Sequence, residues 1–195
     1  MARMIKGSAL SIISILFLSS FFSGCTTLVG AGATVGVAAV QERGIKGRAE
    51  DLKIEALVLE QFIKAGLKLT ATIGAEVYEG RVLLTGASKN TKITDQAVLL
   101  AWKINGVKDV INEIQVNHNS TISNFAQDAW ITAQIKSNMT FDVSVYSINY
   151  TIETVNGTVY LIGIAQNKAE HDRAKQHAAK VKFVRNIISH VRIKK

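Results

Sequence analysis

The 195-residue sequence contains no proline and a single cysteine, Cys25. A lone cysteine excludes an intrachain disulfide, so an exported domain needs another source of stability. The apolar run from Ala9 to Phe22 is shorter than the roughly 20 residues that a transmembrane helix needs. The four histidines have no cysteine near them, and no Ser-His-Asp or paired-carboxylate motif is visible. These absences argue against a membrane-spanning helix, a metal centre and an enzyme.

The N-terminus is typical of a secretory signal peptide, which we predict to cover residues 1–24. Arg3 and Lys6 precede the apolar run, and two small residues, Ser23 and Gly24, follow it. A positively charged start, a short apolar centre and a small-residue exit are the three parts of such a signal. We therefore expect an exported protein.

The stretch "FSGC" that ends at Cys25 resembles the bacterial lipobox, although Phe22 stands where that motif prefers leucine. The resemblance implies that Cys25 becomes the first residue of the mature chain and carries a diacylglycerol and an amide-linked acyl chain. It also implies that Thr26, in the place where aspartate retains lipoproteins at the inner membrane, favours the outer membrane. Several acyl chains would anchor the protein firmly. The alternative is an ordinary signal peptide followed by an unmodified thiol.

Residues 25–48 are predicted to form a flexible tether behind the lipid. They include the small-residue stretch "LVGAGATVGVAAV" from Leu28 to Val40. The glycines of this stretch lack the preceding strand and the following Gly-Lys-Ser/Thr of a phosphate-binding loop. A nucleotide site is therefore not expected here.

The remainder of the chain is an internal repeat without gaps. Residues that the two copies share are always 77 positions apart, as in the pairs Asp51 and Asp128, Gly80 and Gly157, Leu84 and Leu161, Gly86 and Gly163, and Val107 and Val184. An offset held from end to end indicates a duplicated module. We predict a first domain at residues 49–116, a linker at 117–126 and a second domain at 127–195.

Each copy has the pattern helix, hairpin, helix, strand. Apolar residues at i, i+4 and i+8 predict a first helix in both copies. Asn156-Gly157 is a strong signal for a type I′ hairpin, and Glu79-Gly80 occupies the same place in the first copy. A second helix is predicted from Thr91 to Ile104 and from Lys168 to Val181, and each copy ends in a strand. The predicted fold class is α+β, with a three-stranded mixed sheet and two helices on one face (αββαβ).

This order of elements, with the hairpin glycine and the second glycine six residues later, resembles the BON domain. The stretch "QDAWITAQI" at residues 127–135 is similar to the corresponding stretch of the dual-BON outer-membrane lipoprotein family. That resemblance covers essentially the whole chain. It implies a non-catalytic protein that supports outer-membrane integrity and binds anionic phospholipid through the first helix of its second domain.

Charge distinguishes the two copies. Residues 49–116 carry eight basic and nine acidic side chains, whereas residues 127–195 carry ten basic and five acidic ones. Maintenance of one fold does not require this difference, so it indicates an acidic partner for the second copy. Nucleic acid is not expected as that partner, because an exported protein does not meet it and no nucleic-acid-binding motif appears.

Trp130 lies on the flank of the predicted first helix of the second copy, where the first copy has Lys53. A tryptophan at a position that tolerates lysine is a candidate membrane anchor. Our candidate phospholipid-binding residues are Trp130, Gln134, Lys136 and Phe141. The alternatives for Trp130 are packing against the neighbouring domain or the linker, and contact with a protein.

The sequence thus predicts a lipid-anchored protein at the periplasmic face of the outer membrane, with an anionic phospholipid membrane as its partner. Beyond the acyl groups on Cys25 we expect no cofactor, no metal and no small-molecule substrate. The alternative function is a protein-interaction scaffold for an outer-membrane assembly machine or a cell-wall component.

Overall fold

A computed structural model describes residues 40–66, 73–116 and 122–195. The predicted signal peptide, Cys25 and the first part of the tether lie outside these residues, as does the linker stretch 117–121.

The first domain has the predicted order of elements. Helix α1 (Gly44–Ala65) is followed by the hairpin of β1 (Ile73–Tyr78) and β2 (Arg81–Ser88), helix α2 (Thr91–Trp102) and strand β3 (Asp109–Val116). Strand β2 lies in the centre, antiparallel to β1 and parallel to β3. The sheet is therefore mixed.

The second domain repeats this order. Helix α3 (Ile122–Thr140) and a 3₁₀ turn (Ser147–Asn149) precede the hairpin of β4 (Tyr150–Val155) and β5 (Thr158–Ala165), helix α4 (Lys168–Ala179) and strand β6 (Asn186–Ile193). Strand β5 is central, antiparallel to β4 and parallel to β6. The prediction of two tandem αββαβ domains is confirmed.

Both first helices begin earlier than we predicted. Helix α1 starts at Gly44, so the prediction that residues 44–48 belong to a flexible tether is wrong. Helix α3 starts at Ile122, inside the predicted linker 117–126. Neither segment contains a proline, so nothing in it prevents the helix from extending beyond the residues that contact the core.

Each pair of helices covers one face of its own sheet. The core face of α1 carries Ile54, Val58 and Phe62, which pack on Val82 and Leu84 of the central strand. The corresponding face of α3 carries the predicted residues Ile131, Ile135 and Met139, all fully buried. These side chains recur at i, i+4 and i+8, so the helical period of the sequence places them on the sheet.

A buried aspartate on each first helix holds the turn of the following hairpin. Asp51 accepts hydrogen bonds from the backbone N–H groups of Glu79 and Gly80, both at 2.8 Å. Asp128 accepts from Asn156 N at 2.6 Å and Gly157 N at 2.8 Å. A carboxylate that accepts two N–H bonds fixes the distance between helix and hairpin.

The two residues of each turn have positive φ, which the type I′ geometry requires: Asn156 has φ 50° and Gly157 has φ 76°. Glycine is also required sterically at the second position. A Cβ atom on Gly157 would lie 2.9 Å from the Phe183 carbonyl oxygen. This close approach joins the hairpin to the chain that leads into the last strand.

The two domains pack through the sheet faces that carry no helices. Tyr78 and Leu83 of the first sheet form one buried cluster with Tyr160, Ile162 and Ile164 of the second. Helices therefore lie on the outer side of each sheet, and the two sheets face each other.

Polar contacts surround this interdomain cluster. Arg81 donates to the His190 carbonyl at 2.8 Å, and His190 Nε2 lies 2.8 Å from Glu113 Oε1. Gln115 donates to the Val155 carbonyl at 2.9 Å. Such directional bonds fix the relative position of the domains better than an apolar contact alone.

The segment that precedes α1 joins both domains. Gln41 Nε2 donates to the Ile148 carbonyl of the second domain at 2.7 Å, and Lys194 Nζ lies 2.9 Å from Glu42 Oε2. Arg43 instead contacts the first domain. Its guanidinium lies 2.7 Å from Asp51 Oδ2 and 4.3 Å from the Tyr78 ring centroid, and the ion pair is buried. The chain is thus held at the domain boundary before α1 begins.

Acidic side chains meet at one side of the interdomain cluster. Glu76 is paired across the hairpin with Leu83, and Glu153 is paired with Tyr160. Paired residues of neighbouring strands lie on the same face of the sheet, so both carboxyls lie on the faces that meet. Burial, reinforced by the charges of Glu153 and Glu55, raises the pKa of Glu76 to about 7, and burial also raises the pKa of Glu153. The nearby cations Lys136 and Arg48 oppose this increase for Glu76.

We expect Asp128→Ala to lower the free energy of unfolding by about 3 kcal/mol, because two backbone N–H donors, one buried and one partly buried, would lose their acceptor. Urea unfolding followed by far-UV circular dichroism measures this change. The matched control is Asp172→Ala, since Asp172 is bonded to the exposed Lys168 and such surface pairs contribute little. Equal effects of the two substitutions would contradict the structural role of Asp128.

We also expect stability to fall as the pH rises from 5 to 8. The folded state keeps a proton on Glu76 up to a pKa of about 7, whereas the unfolded chain releases it near 4.5. The folded state therefore binds more protons in this interval, and the free energy of unfolding decreases, by about 2 kcal/mol. Glu76→Gln should flatten the pH profile of urea unfolding, while Glu50→Gln, at an exposed position of α1, should leave it unchanged. A wild-type profile that rises with pH would refute this assignment.

Candidate functional site

The outer face of helix α3 presents three of the four predicted phospholipid-binding residues. Trp130, Gln134 and Phe141 are separated by four and seven residues, so they lie within about 40° of one another around the helix axis. Trp130 is 43% exposed and Phe141, just beyond the last helical residue, is 84% exposed. The structure thus brings these three side chains to one surface.

Lys136 lies on a different side of α3. It follows Gln134 by two residues, which places it about 200° further around the helix. Its charge acts on Glu76 and Glu153, so it faces the interdomain boundary. A contact between Lys136 and a phosphate stays a prediction, and it would involve a surface separate from that of Trp130.

Phe183 is a residue of this surface that sequence reasoning missed. Its ring centroid lies 6.1 Å from that of Trp130 in an edge-to-face arrangement, and it is 48% exposed. Lys182 Nζ lies 4.8 Å from the centroid of the Phe183 ring. The sequence offers one weak signal that Phe183 belongs to a binding surface: it directly follows basic residues and precedes the last strand.

Asp142 holds the turn that follows α3. Its carboxylate lies 2.7 Å from His177 Nε2 on helix α4 and accepts the Ser144 N–H at 2.9 Å. The hydrogen bond with His177, more than any other contact, lowers the pKa of Asp142. The turn projects Val143, which is 100% exposed, beside Phe141.

A shallow hollow separates this turn from the end of α4 and is lined by Asn138, Phe141, Asp142, Val143, His177 and Lys180. We call the aromatic residues Trp130, Phe141 and Phe183, with Val143, Lys180 and Lys182, the α3–α4 surface. Apolar side chains that project beside lysines suit the boundary between acyl chains and anionic headgroups.

The described ranges contain no helix that is long and apolar enough to cross a membrane. Within the same ranges no group of three or more His, Cys, Asp or Glu side chains could hold a metal ion. Cys25, the predicted lipidation site, is not among the described residues.

The duplicated αββαβ unit, with its aspartate-held hairpin, defines a class of small paired α+β domains. The family model of the BON domain matches residues 50–118 and 127–195. The chain therefore belongs to the BON domain family, and the predicted resemblance to dual-BON proteins is confirmed.

Three relatives are similar over most of the chain. An uncharacterized protein in the gshII 5′ region of Anaplasma centrale is 38% identical over 74% of this chain and 95% of its own length. The outer membrane lipoprotein DolP of Haemophilus influenzae is 32% identical over 86% of this chain and 88% of its own. A 21 kDa hemolysin of Actinobacillus pleuropneumoniae is 30% identical over 75% and 78%, respectively.

Proposed function

We propose that this protein is a non-catalytic lipoprotein of the outer membrane that binds anionic phospholipid through its second BON domain and supports the integrity of the cell envelope. The observation that carries the proposal is the α3–α4 surface. It places exposed aromatic and aliphatic side chains next to lysines on the more basic of the two domains.

The energetics of such a contact depend on both kinds of side chain. Each basic residue near an anionic bilayer contributes roughly 1 kcal/mol, and exposed aromatic rings add their burial at the headgroup level. Trp130 and Phe183 already contact each other, so insertion would not require a new arrangement of the rings.

The relative named outer membrane lipoprotein DolP supports the proposed location. A lipid on Cys25 would keep the second domain close to the bilayer. Binding of that domain then becomes effectively intramolecular, so a weak affinity suffices.

The α3–α4 surface makes a testable prediction for the mature chain with Cys25→Ser, in which no lipid can mask the contact. We expect this protein to float with vesicles that contain phosphatidylglycerol and to remain unbound with neutral vesicles. Trp130→Ala should weaken binding about tenfold, as should the double change Lys180→Glu and Lys182→Glu, because one removes an interfacial anchor and the other reverses two charges.

The matched control is Trp102→Ala. Trp102 is 50% exposed, close to the value for Trp130, but it lies on helix α2 of the first domain. Equal loss of flotation in the two tryptophan variants, or equal binding to neutral vesicles, would refute the proposed surface. Capture of a stoichiometric envelope protein by an unmodified α3–α4 surface, with no vesicle binding, would instead support a protein-interaction scaffold.

Lipidation makes a separate prediction. We expect the mature protein from native membranes to begin at Cys25 and to carry the mass of a diacylglycerol and an amide-linked acyl chain, measured by mass spectrometry of the N-terminal peptide. Cys25→Ser should release the chain into the periplasmic fraction. An unmodified N-terminal cysteine would contradict the anchor but not the vesicle binding of the second domain.

A further inference from the structure

Helix α1 has a second apolar face that the core of its domain does not use. The core face consists of Ile54, Val58 and Phe62. About 140° away around the helix lies a stripe of exposed or partly exposed apolar residues, which we call the α1 stripe: Ile45, Ala49, Leu52, Ala56, Leu59 and Ile63. Three of its four large side chains are well exposed, with Ile45 at 51%, Leu52 at 45% and Ile63 at 56%, and Leu59 is partly exposed.

The spacing of the α1 stripe is that of a coiled coil. Successive members are four, three, four, three and four residues apart, which corresponds to alternating d and a positions of a heptad. With 1.5 Å per residue the stripe is about 27 Å long. A helix that packs on one sheet needs one apolar stripe, so the second one requires a separate explanation.

The second domain shows that the fold does not require the α1 stripe. Ile45 recurs as Ile122, but the positions that correspond to Ala49, Leu52, Ala56, Leu59 and Ile63 carry Ala126, Ala129, Ala133, Lys136 and Thr140. Three of the four large apolar side chains of the stripe, Leu52, Leu59 and Ile63, thus have no large apolar counterpart in the second copy.

We propose that the α1 stripe is a homodimer interface in which α1 packs antiparallel against α1 of a second copy. The stripe is complementary to itself in this orientation. Ala49 faces Leu59 and Leu52 faces Ala56, so each small residue meets a large one, while Ile45 faces Ile63 at both ends. An antiparallel coiled coil pairs a positions with d positions in this manner, and a two-fold axis generates every contact twice.

The charges beside the stripe favour the antiparallel orientation over the parallel one. In the antiparallel pair Lys46 lies beside Glu60 of the second copy, and the symmetry forms this attractive pair twice. The central residue Lys53 meets its own copy, at the cost of one like-charged contact, whereas Glu55 is half-buried and its charge acts on Glu76 within its own chain. A parallel pair would instead place Arg48 beside Lys53, giving two repulsive contacts and no attractive one.

The proposed dimer does not rest on phospholipid binding. Trp130 and Phe183 belong to the second domain, whereas the α1 stripe belongs to the first. Failure of one proposal would therefore leave the other intact.

Cysteine crosslinking tests both the interface and its orientation. Ile45→Cys and Ile63→Cys are introduced separately into the mature chain with Cys25→Ser and treated with a short bismaleimide. Neither variant alone should form covalent dimers, because identical ends of an antiparallel pair are about 27 Å apart. A mixture of the two should form them. Dimers from Ile63→Cys alone would indicate a parallel arrangement and overturn the proposal.

The oligomeric state of the same chain, measured by light scattering after size exclusion, provides the second test. We expect a dimer that Leu52→Glu dissociates, whereas Leu99→Glu, at a residue of α2 that is 62% exposed, leaves it intact. Lys46→Glu and Glu60→Lys should each weaken the dimer several-fold, and the double variant should restore it. A monomer at about 100 μM would overturn the proposal. Loss of vesicle binding in Leu52→Glu, with no dimer in the unchanged chain, would also overturn it and would indicate that lipid covers the stripe.

Discussion

The fold depends on one repeated interaction, the bonding of a buried helical carboxylate to two backbone N–H groups of a hairpin turn. Asp51 and Asp128 occupy equivalent places and make the same pair of bonds. The turn has left-handed backbone angles, and its N–H groups point toward the helix, so an acceptor is required there. When the carboxylate accepts these two bonds, it fixes the distance between the helix and the sheet. It also fixes the residue at which β2 or β5 begins.

Both faces of each sheet are packed, so the two domains are docked against each other rather than separate. One face of each sheet carries helices, and the other meets its duplicate through Tyr78, Leu83 and Tyr160. Because Glu76 and Glu153 lie on these meeting faces, their ionisation opposes docking. The interface therefore combines an apolar centre with Glu76, whose pKa burial raises to about 7, and with Glu153, whose pKa burial also raises.

The sequence predicted the features that depend on local pattern. The constant offset, the helical spacing around Val58 and the Asn156-Gly157 turn each have one physical meaning, and all agree with the structure. The interdomain packing could not be predicted from the sequence. Leu83 and Tyr160 have the pattern of ordinary buried strand residues, and Glu76 and Glu153 have the pattern of solvent-exposed residues. Phe183 was missed because its partner, Trp130, is distant in the chain.

The two copies have kept one scaffold and changed its outer helices. At the position of Trp130 the first copy has Lys53, and at the position of Leu59 the second copy has Lys136, so each copy is polar where the other exposes an apolar side chain. The buried aspartates and hairpin glycines are the same in both. Lys53, Trp130 and Lys136 are exposed and Leu59 is partly exposed, so these two differences do not arise from the needs of the core. They are expected when two domains of one fold meet different partners, as the two proposals require, and the sheet-to-sheet contact would then set the geometry between the two binding surfaces.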